Sequence, residues 1–404
     1  MASVRKREWT RDGKKKSAWV VDFKDERGKR ALKTFTMKKA ADAFLQKTQQ
    51  QIEVGTFVAD GNSVIFEAAT ADWLEHCRKR AERMAGLSRS GVEMYDIAIR
   101  RALPHIGQKL ITKVRLADIQ AVTDALCTAG LSGASVRHTI RTTRMVFDFA
   151  IERQWLRLNP IDTKKLVLPP ARKIVHIPSK DELRHLLQVA CKRAPHEKEA
   201  ARRIRVAIAT LALFGGLRRG EIAGLKRGDV DFERGTMRIR RSVSRLDGIK
   251  STKTAAGVRE VPLVLPIAEA LRGLPSYVQH ERTPDAFVIR TGTGLGLQGC
   301  SVYSDYWHPL ILRAGLVKPD GKPLYRLHDL RHTAASLLID QGLSPLHIKT
   351  MMGHASVTTT LDVYGHLFPA DGAIKKAADE VAASLLATQT RHEQSTPQIA
   401  LIRQ

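Results

Sequence analysis

The chain has 404 residues, enough for two or three domains with cores of their own, and its 43% hydrophobic content excludes a disordered protein. With 67 Lys and Arg against 41 Asp and Glu, the formal charge is +26; this exceeds what solubility needs and favours a polyanionic partner, DNA or RNA, over a merely basic surface. Cys77, Cys127, Cys191 and Cys300 stand far apart without a C-x-x-C pair, which excludes a disulfide framework or zinc ribbon and fits a reducing cytosol.

The first residues carry no apolar h-region, and no apolar run reaches spanning length, so a soluble, unexported protein without a membrane partner is expected. Residues 1–50 hold 15 Lys and Arg against 6 Asp and Glu, the densest positive charge in the chain. There SAWVVDF (17–23) and RALKTFT (30–36) are predicted strands around the turn DERG, followed by helical spacing in KKAADAFLQKTQQQIEVG (38–55). Two readings of residues 1–60 stand: a basic domain laying a small sheet into a DNA major groove, or a basic subdomain packed on the body.

After the turn cluster DGNS (60–63), residues 64–165 show four amphipathic helical segments in succession, which predicts an all-α domain. Residues 166–178, with their prolines and basic side chains, form a predicted linker. A third domain, 179–387, opens on SKDELRHLLQVA, where Ser179 and Glu182 suit a capping box. Within it MRIRRSV (237–243) and VREVPLV (258–264) are predicted strands joined by SRLDGIKSTKTAAG, one small sheet inside a helical domain; residues 388–404 are a predicted tail. The expected fold class is therefore mainly α with small β-sheets (α+β), in several domains.

Two motifs suggest chemistry that their surroundings do not support. GLGLQG (294–299) has dinucleotide-loop spacing but no βαβ alternation around it, and its nearest acid, Asp320, sits in a turn. HDLRH (328–332) has the i, i+4 histidines of a zinc-protease helix. Yet Asp329 stands where that motif needs Glu, Arg331 intervenes and no third ligand follows, so no metal is expected and His332 reads as an ordinary helix residue.

Four stretches are informative together: FGGLRRGEIAGL (214–225), STKTAAGVREVPL (251–263), LHDLRHTAASLL (327–338) and MMGHASVTTTLDVYGH (351–366). Singly, Arg218 could be a solvated helix-end cation, Lys253 a turn residue, His354 a capped helix terminus and Tyr364 a core aromatic. In their joint order they resemble the tyrosine recombinase family, the integrases of phages and other mobile elements. That family carries an Arg in G-L-R-x-x-E, a hairpin Lys, H-x-x-R, a Gly-His and a Tyr in this sequence, and the resemblance covers residues 64–385.

The resemblance implies a site-specific recombinase that cleaves and rejoins DNA through a 3′-phosphotyrosyl intermediate. Its catalytic residues would be Arg218, Lys253, His328, Arg331, His354 and Tyr364, with Glu221 in support. Two guanidinium forks suit the charge that builds on a phosphate under attack. A tyrosine hydroxyl, with a pKa of about 10, is only about one part in a thousand ionised at neutral pH and needs help, assigned here to His328. Lys253 would protonate the leaving 5′ oxygen, and His354 would donate to the phosphate. The phosphotyrosine keeps the bond energy, so no cofactor is implied, and the cations replace a metal.

By the same resemblance residues 64–165 are a core-binding domain and residues 1–60 an arm-binding domain. The implied partners are double-stranded DNA at core and arm sites, three further copies in a DNA-bound homotetramer, a host bending protein and a directionality factor, in the cytoplasm of a bacterial host. An amphipathic segment, AIKKAADEVAASLL (373–386), would dock on a neighbouring protomer or fold back on its own domain. The competing functions are a type IB topoisomerase-like relaxing activity and a DNA-binding regulator without chemistry. The arm-type domain counts against the first, and the intact residue set against the second.

Overall fold

The computed structural model describes residues 3–11, 14–24, 30–53, 64–83, 86–170, 176–251, 257–274, 283–290, 295–368, 375 and 378–385. The chain divides into two compact units, Met1–Ile174 and Val175–Gln404. The architecture is mainly helical with small antiparallel sheets. Among the described residues no helix is long and apolar enough to cross a membrane.

The first unit opens with a sheet of β1 (Ser3–Arg11), β2 (Lys14–Lys24) and β3 (Arg30–Phe35), antiparallel in the order β1-β2-β3. The sequence pattern marks β2 and β3 but not β1, because SVRKREWTR has no apolar alternation. This strand is held through its backbone register with β2, Lys6 opposite Trp19 and Val4 opposite Val21. Helix α1 (Lys38–Glu53) follows, and its Phe44 packs on Phe23 and Phe35 at ring-centroid distances of 5.9 and 5.1 Å. The DERG turn lies outside the described residues.

Five helices follow: α2 (Phe66–Glu82), α3 (Arg89–Arg100), the single turn α4 (Leu103–Ile106), α5 (Leu116–Thr128) and α6 (Gly133–Glu152). Their inward stripes build one core from Phe66, Trp73, Ile99, Ile106, Ile119, Ile140 and Phe147. Caps at Ser88 and Ser132 start α3 and α6, each hydroxyl accepting from a backbone N–H three residues on.

In the second unit α7 (Lys180–Cys191) begins at the expected capping box, with Ser179 N–H donating to Glu182 and Glu182 N–H to the Ser179 hydroxyl. Helix α8 (Glu199–Leu213) is buried without a break from Ala207 to Leu213 and forms the centre of the larger core, with Ile222, Met237, Val261, Ile267, Trp307 and Leu330 around it. Short α9 (Arg219–Gly224) leads into β4 (Val230–Asp231), β5 (Thr236–Ile239), β6 (Arg241–Ser244), β7 (Gly248–Ser251) and β8 (Arg259–Pro262).

The expectation of one two-stranded sheet is corrected here. Residues 236–239 pair with 259–262 in a sheet ordered β4-β5-β8, whereas 241–244 fold onto 248–251 as a separate hairpin. Gly248, at φ 64°, supplies the left-handed residue this tight turn needs. The connecting segment thus contains a strand of its own, Gly248–Ser251.

Then come α10 (Leu265–Arg272), a helical stretch through Gly299–Ser301 and Val302–Trp307 into α11 (His308–Arg313), and three helices that carry the site: α12 (Leu327–Asp340), α13 (Pro345–Met352) and α14 (Val357–Tyr364). These last three share a small core of Ala334, Ala335, Ile339, Ile348, Met352 and Tyr364. In GLGLQG, Gly296 forms an isolated bridge to Arg290 and lies so close to the Phe287 ring that a Cβ would meet it at 2.6 Å. Packing, not a phosphate, explains that glycine.

Candidate active site

The last turn of α13 is the centre of the site. A helix end leaves carbonyls without intrahelical partners, and here three consecutive ones each accept from a different arginine. Arg259 Nε donates to Met351 O at 2.7 Å, Arg331 Nη2 donates to Met352 O, and Arg218 Nη2 reaches Gly353 O at 3.4 Å. Cations suit the negative end of the helix dipole. Gly353, at φ 62° and ψ 49°, ends the helix in the left-handed conformation and turns the chain into His354.

One buried carboxylate balances these cations. Glu221 accepts from both arms of Arg259 at 3.1 and 2.9 Å, from Arg218 Nη1 at 2.8 Å and from the Arg218 backbone N–H at 2.8 Å; Arg331 Nη1 lies 3.9 Å away. Burial alone would raise its pKa. The Arg259 fork, with the charges of Arg331 and Arg218, instead pulls it down to about 2, so Glu221 is ionised throughout the neutral range. Glu221, expected as a supporting residue, is thus in contact with Arg218. Its bidentate partner Arg259, however, was not among the expected residues.

Arg331 sits on α12 and is 2% exposed. Its Nη1 donates to Gly216 O at 2.5 Å, so the guanidinium ties α12 both to the turn before Arg218 and to the end of α13. Burial, then the neighbouring positive charge of Arg218, pushes it down to about 9, against the pull of Glu221; it remains a cation at neutral pH. Arg218 is the more open of the pair, with 40% of its side chain exposed.

His354 is half-buried, with Nδ1 2.9 Å from Thr360 Oγ1. Burial, reinforced by Arg331, Arg218 and Arg259, holds it at about 4, so the ring is neutral at pH 7. A Thr360 hydroxyl that donates to Nδ1 would leave the ring hydrogen on Nε2, where it can be donated.

Tyr364 ends α14 and is 2% exposed. Burial lifts its hydroxyl to about 12, while Arg331 and Arg218 act in the opposite direction. Its hydroxyl lies 2.7 Å from His332 Nδ1, and the two ring centroids are 5.7 Å apart. His332 is therefore not the ordinary helix residue the sequence suggests. His328, to which the assisting role was assigned, is exposed at the start of α12, with its ring edge-to-face on His332 at 4.8 Å. The reason is helical spacing: residues i and i+4 share a face, and the second histidine is the one the packed turns of α13 and α14 reach.

Lys253 lies outside the described residues, as do residues 369–374, 376–377 and 386–404 of the carboxy-terminal segment and tail. The hairpin leading to Lys253 is anchored at its root, where Asp229 accepts from Arg240 at 2.8 Å and from Arg241. Together the described groups make a cationic, partly buried site around one phenol and one neutral imidazole. Such a site is suited to stabilising charge on a phosphate.

Residues 179–370 match the model of the phage integrase family. Over 399 residues the chain is 24% identical to a tyrosine recombinase XerC-like protein of Caldanaerobacter subterraneus, covering 91% of this chain and 96% of that one. Its fold is similar to that of the Tn1549 transposon integrase in complex with transposon right end DNA, with TM-score 0.62, 19% identity and coverage of 79% and 99%. It is also similar to lambda integrase in a tetramer bound to a Holliday junction, with TM-score 0.55, 17% identity and coverage of 87% and 96%.

Proposed function

Through residues 179–370 the chain belongs to the phage integrase family, the tyrosine recombinases, and is a site-specific DNA recombinase; on that premise we propose that Tyr364 is its nucleophile and that Arg218, Arg331, His354 and Lys253 serve the transferring phosphate. The observation that carries this reading is the convergence on one helix end of Arg218, Arg331 and a neutral His354, beside a tyrosine whose hydroxyl lies within hydrogen-bond distance of a histidine ring nitrogen.

In the reaction Tyr364 Oη bonds to phosphorus while the bond to the 5′ oxygen breaks. The phenolic proton passes to His332 Nδ1, and Lys253 Nζ gives a proton to the departing oxygen. Arg218 and Arg331 hold the non-bridging oxygens as charge grows on them, with His354 Nε2–H and the exposed His328 as further donors. Rejoining is the reverse, with a 5′ hydroxyl attacking the 3′-phosphotyrosine.

The DNA carries a core site and distant arm sites, the latter taken by residues 1–60 and the former by residues 64–165 with the catalytic unit. Exchange between two duplexes needs four active sites, so four chains assemble, as in the lambda integrase tetramer. A host bending protein and a directionality factor complete the assembly in a bacterial cytoplasm.

A nicked suicide substrate carrying the core site tests the chemistry, because loss of the short 5′ fragment leaves the covalent adduct trapped. Wild-type chain forms the adduct and Tyr364→Phe forms none. An adduct on the Phe variant, or none on wild type, overturns the reading.

A further inference from the structure

Arg259 has no place in the catalytic set above, yet it makes more contacts at the site than either phosphate arginine. It extends from β8, the strand that follows the Lys253 segment, and is 6% exposed. Its fork takes both oxygens of Glu221, and its Nε takes Met351 O. Glu221 holds Arg218 through both backbone and side chain, while Met351 is the first of the three carbonyls that the arginines share.

We propose that Arg259 is a positioning residue, which sets Arg218, Arg331 and His354 on one phosphate by fixing both Glu221 and the end of α13. The physical reason is charge and shape together. A lone carboxylate buried among guanidinium groups can be drawn to any of them, and a bidentate fork fixes its plane. With that plane fixed, the backbone N–H and Nη1 of Arg218 have one geometry to meet. The third nitrogen, Nε, holds α13 against β8, so the carbonyl that receives Arg331 and the turn that presents His354 keep the same frame. Lysine could satisfy either Glu221 or Met351, but not both sides of Glu221 and the carbonyl at once.

The inference rests on the recombinase reading, and its test separates the two. Full-length wild type, Arg259→Met and Arg259→Lys are compared in single-turnover adduct formation on the suicide substrate, at saturating DNA and over a range of DNA concentrations and pH. Misplacement of catalytic groups by about 1 Å costs about 10²-fold in rate. Arg259→Met is therefore expected to lose about that much at saturation, with the half-saturating DNA concentration changed less than about threefold. Arg259→Lys should recover part of the loss.

The pH profile supplies a readout that loss of folding would not produce. Without the fork Glu221 stays buried with less opposing charge, so its proton is held to higher pH. Adduct formation by Arg259→Met should then show an acidic limb displaced towards neutrality relative to that of wild type. Equal rates for wild type and Arg259→Met overturn the positioning role alone. So does a loss that follows DNA binding in parallel, or one without the displaced limb and without recovery in the Lys variant. No adduct with wild type overturns the functional reading and the role of Arg259 with it.

Discussion

At the scale of single residues, the pairing of Tyr364 with His332 is what directs the proposed proton transfer to that histidine and not to His328. A hydroxyl lifted to about 12 by burial ionises poorly unless a base takes its proton as it attacks, and His332 Nδ1, 2.7 Å away, is placed for that role. General-base removal typically costs about 10²–10⁴-fold. Adduct formation by His332→Gln should fall within that range, while His328→Gln, which removes an exposed donor, should fall less. Rapid-quench measurement of the adduct on the suicide substrate gives both numbers, and a larger loss in His328→Gln would return the base to His328. The sequence shows the HDLRH spacing but not which ring is met by a residue 32 positions later. Arg259 was hidden for a related reason. Its one-dimensional signal is the alternation of Arg259, Val261 and Leu263 on the inward face of a strand, a cation where the pattern calls for an apolar side chain.

At the scale of elements, three helices and two turns hold the arginines in place, and their glycines are more revealing than their apolar residues. Gly216 stands at φ 60°, and a Cβ there would lie 2.7 Å from Met352 Cε and 3.1 Å from its Sδ. Its carbonyl receives Arg331. Gly235 has a similar φ of 64° with open space around it. Left-handed backbone costs an L-residue about 1–2 kcal/mol, so Gly235→Ala should destabilise by that amount. Gly216→Ala should lose more, because Met352 must also shift, and urea unfolding of the two variants compares them directly. Equal losses would mean that Met352 yields freely. This packing was only partly legible beforehand. The helices of the site were expected only as part of a helical domain; Ser344 and Ser356, whose hydroxyls accept from His347 and Thr358 N–H, cap two of them. The β5–β8 pairing was legible, but the separate β6–β7 hairpin was not, because the break between Ile239 and Arg241 is set by tertiary hydrogen bonding, as where Asp229 binds Arg240 and Arg241, and not by local propensity.

At the scale of the whole molecule, charge and domain order make separate contributions that one deletion can distinguish. Residues 1–50 carry 15 of the 67 Lys and Arg but none of the catalytic side chains. Phosphate contacts dominate affinity and release counterions, so the logarithm of the binding constant falls with the logarithm of salt by about 0.9 for each phosphate neutralised. If residues 1–60 grip arm DNA, removing them should abolish binding to distant arm sites. On a short core-site duplex, by contrast, the salt slope and the rate of adduct formation should stay close to those of the full chain. If they instead add general positive charge, core and arm duplexes should lose affinity together and both slopes should flatten. Mobility-shift titrations at several salt concentrations, with arm-only and core-only duplexes, decide between the two. The three-stranded sheet makes the first outcome the expected one, since a strand as charged as β1 has little apolar surface to bury against a protein core and a row of basic side chains suited to phosphate.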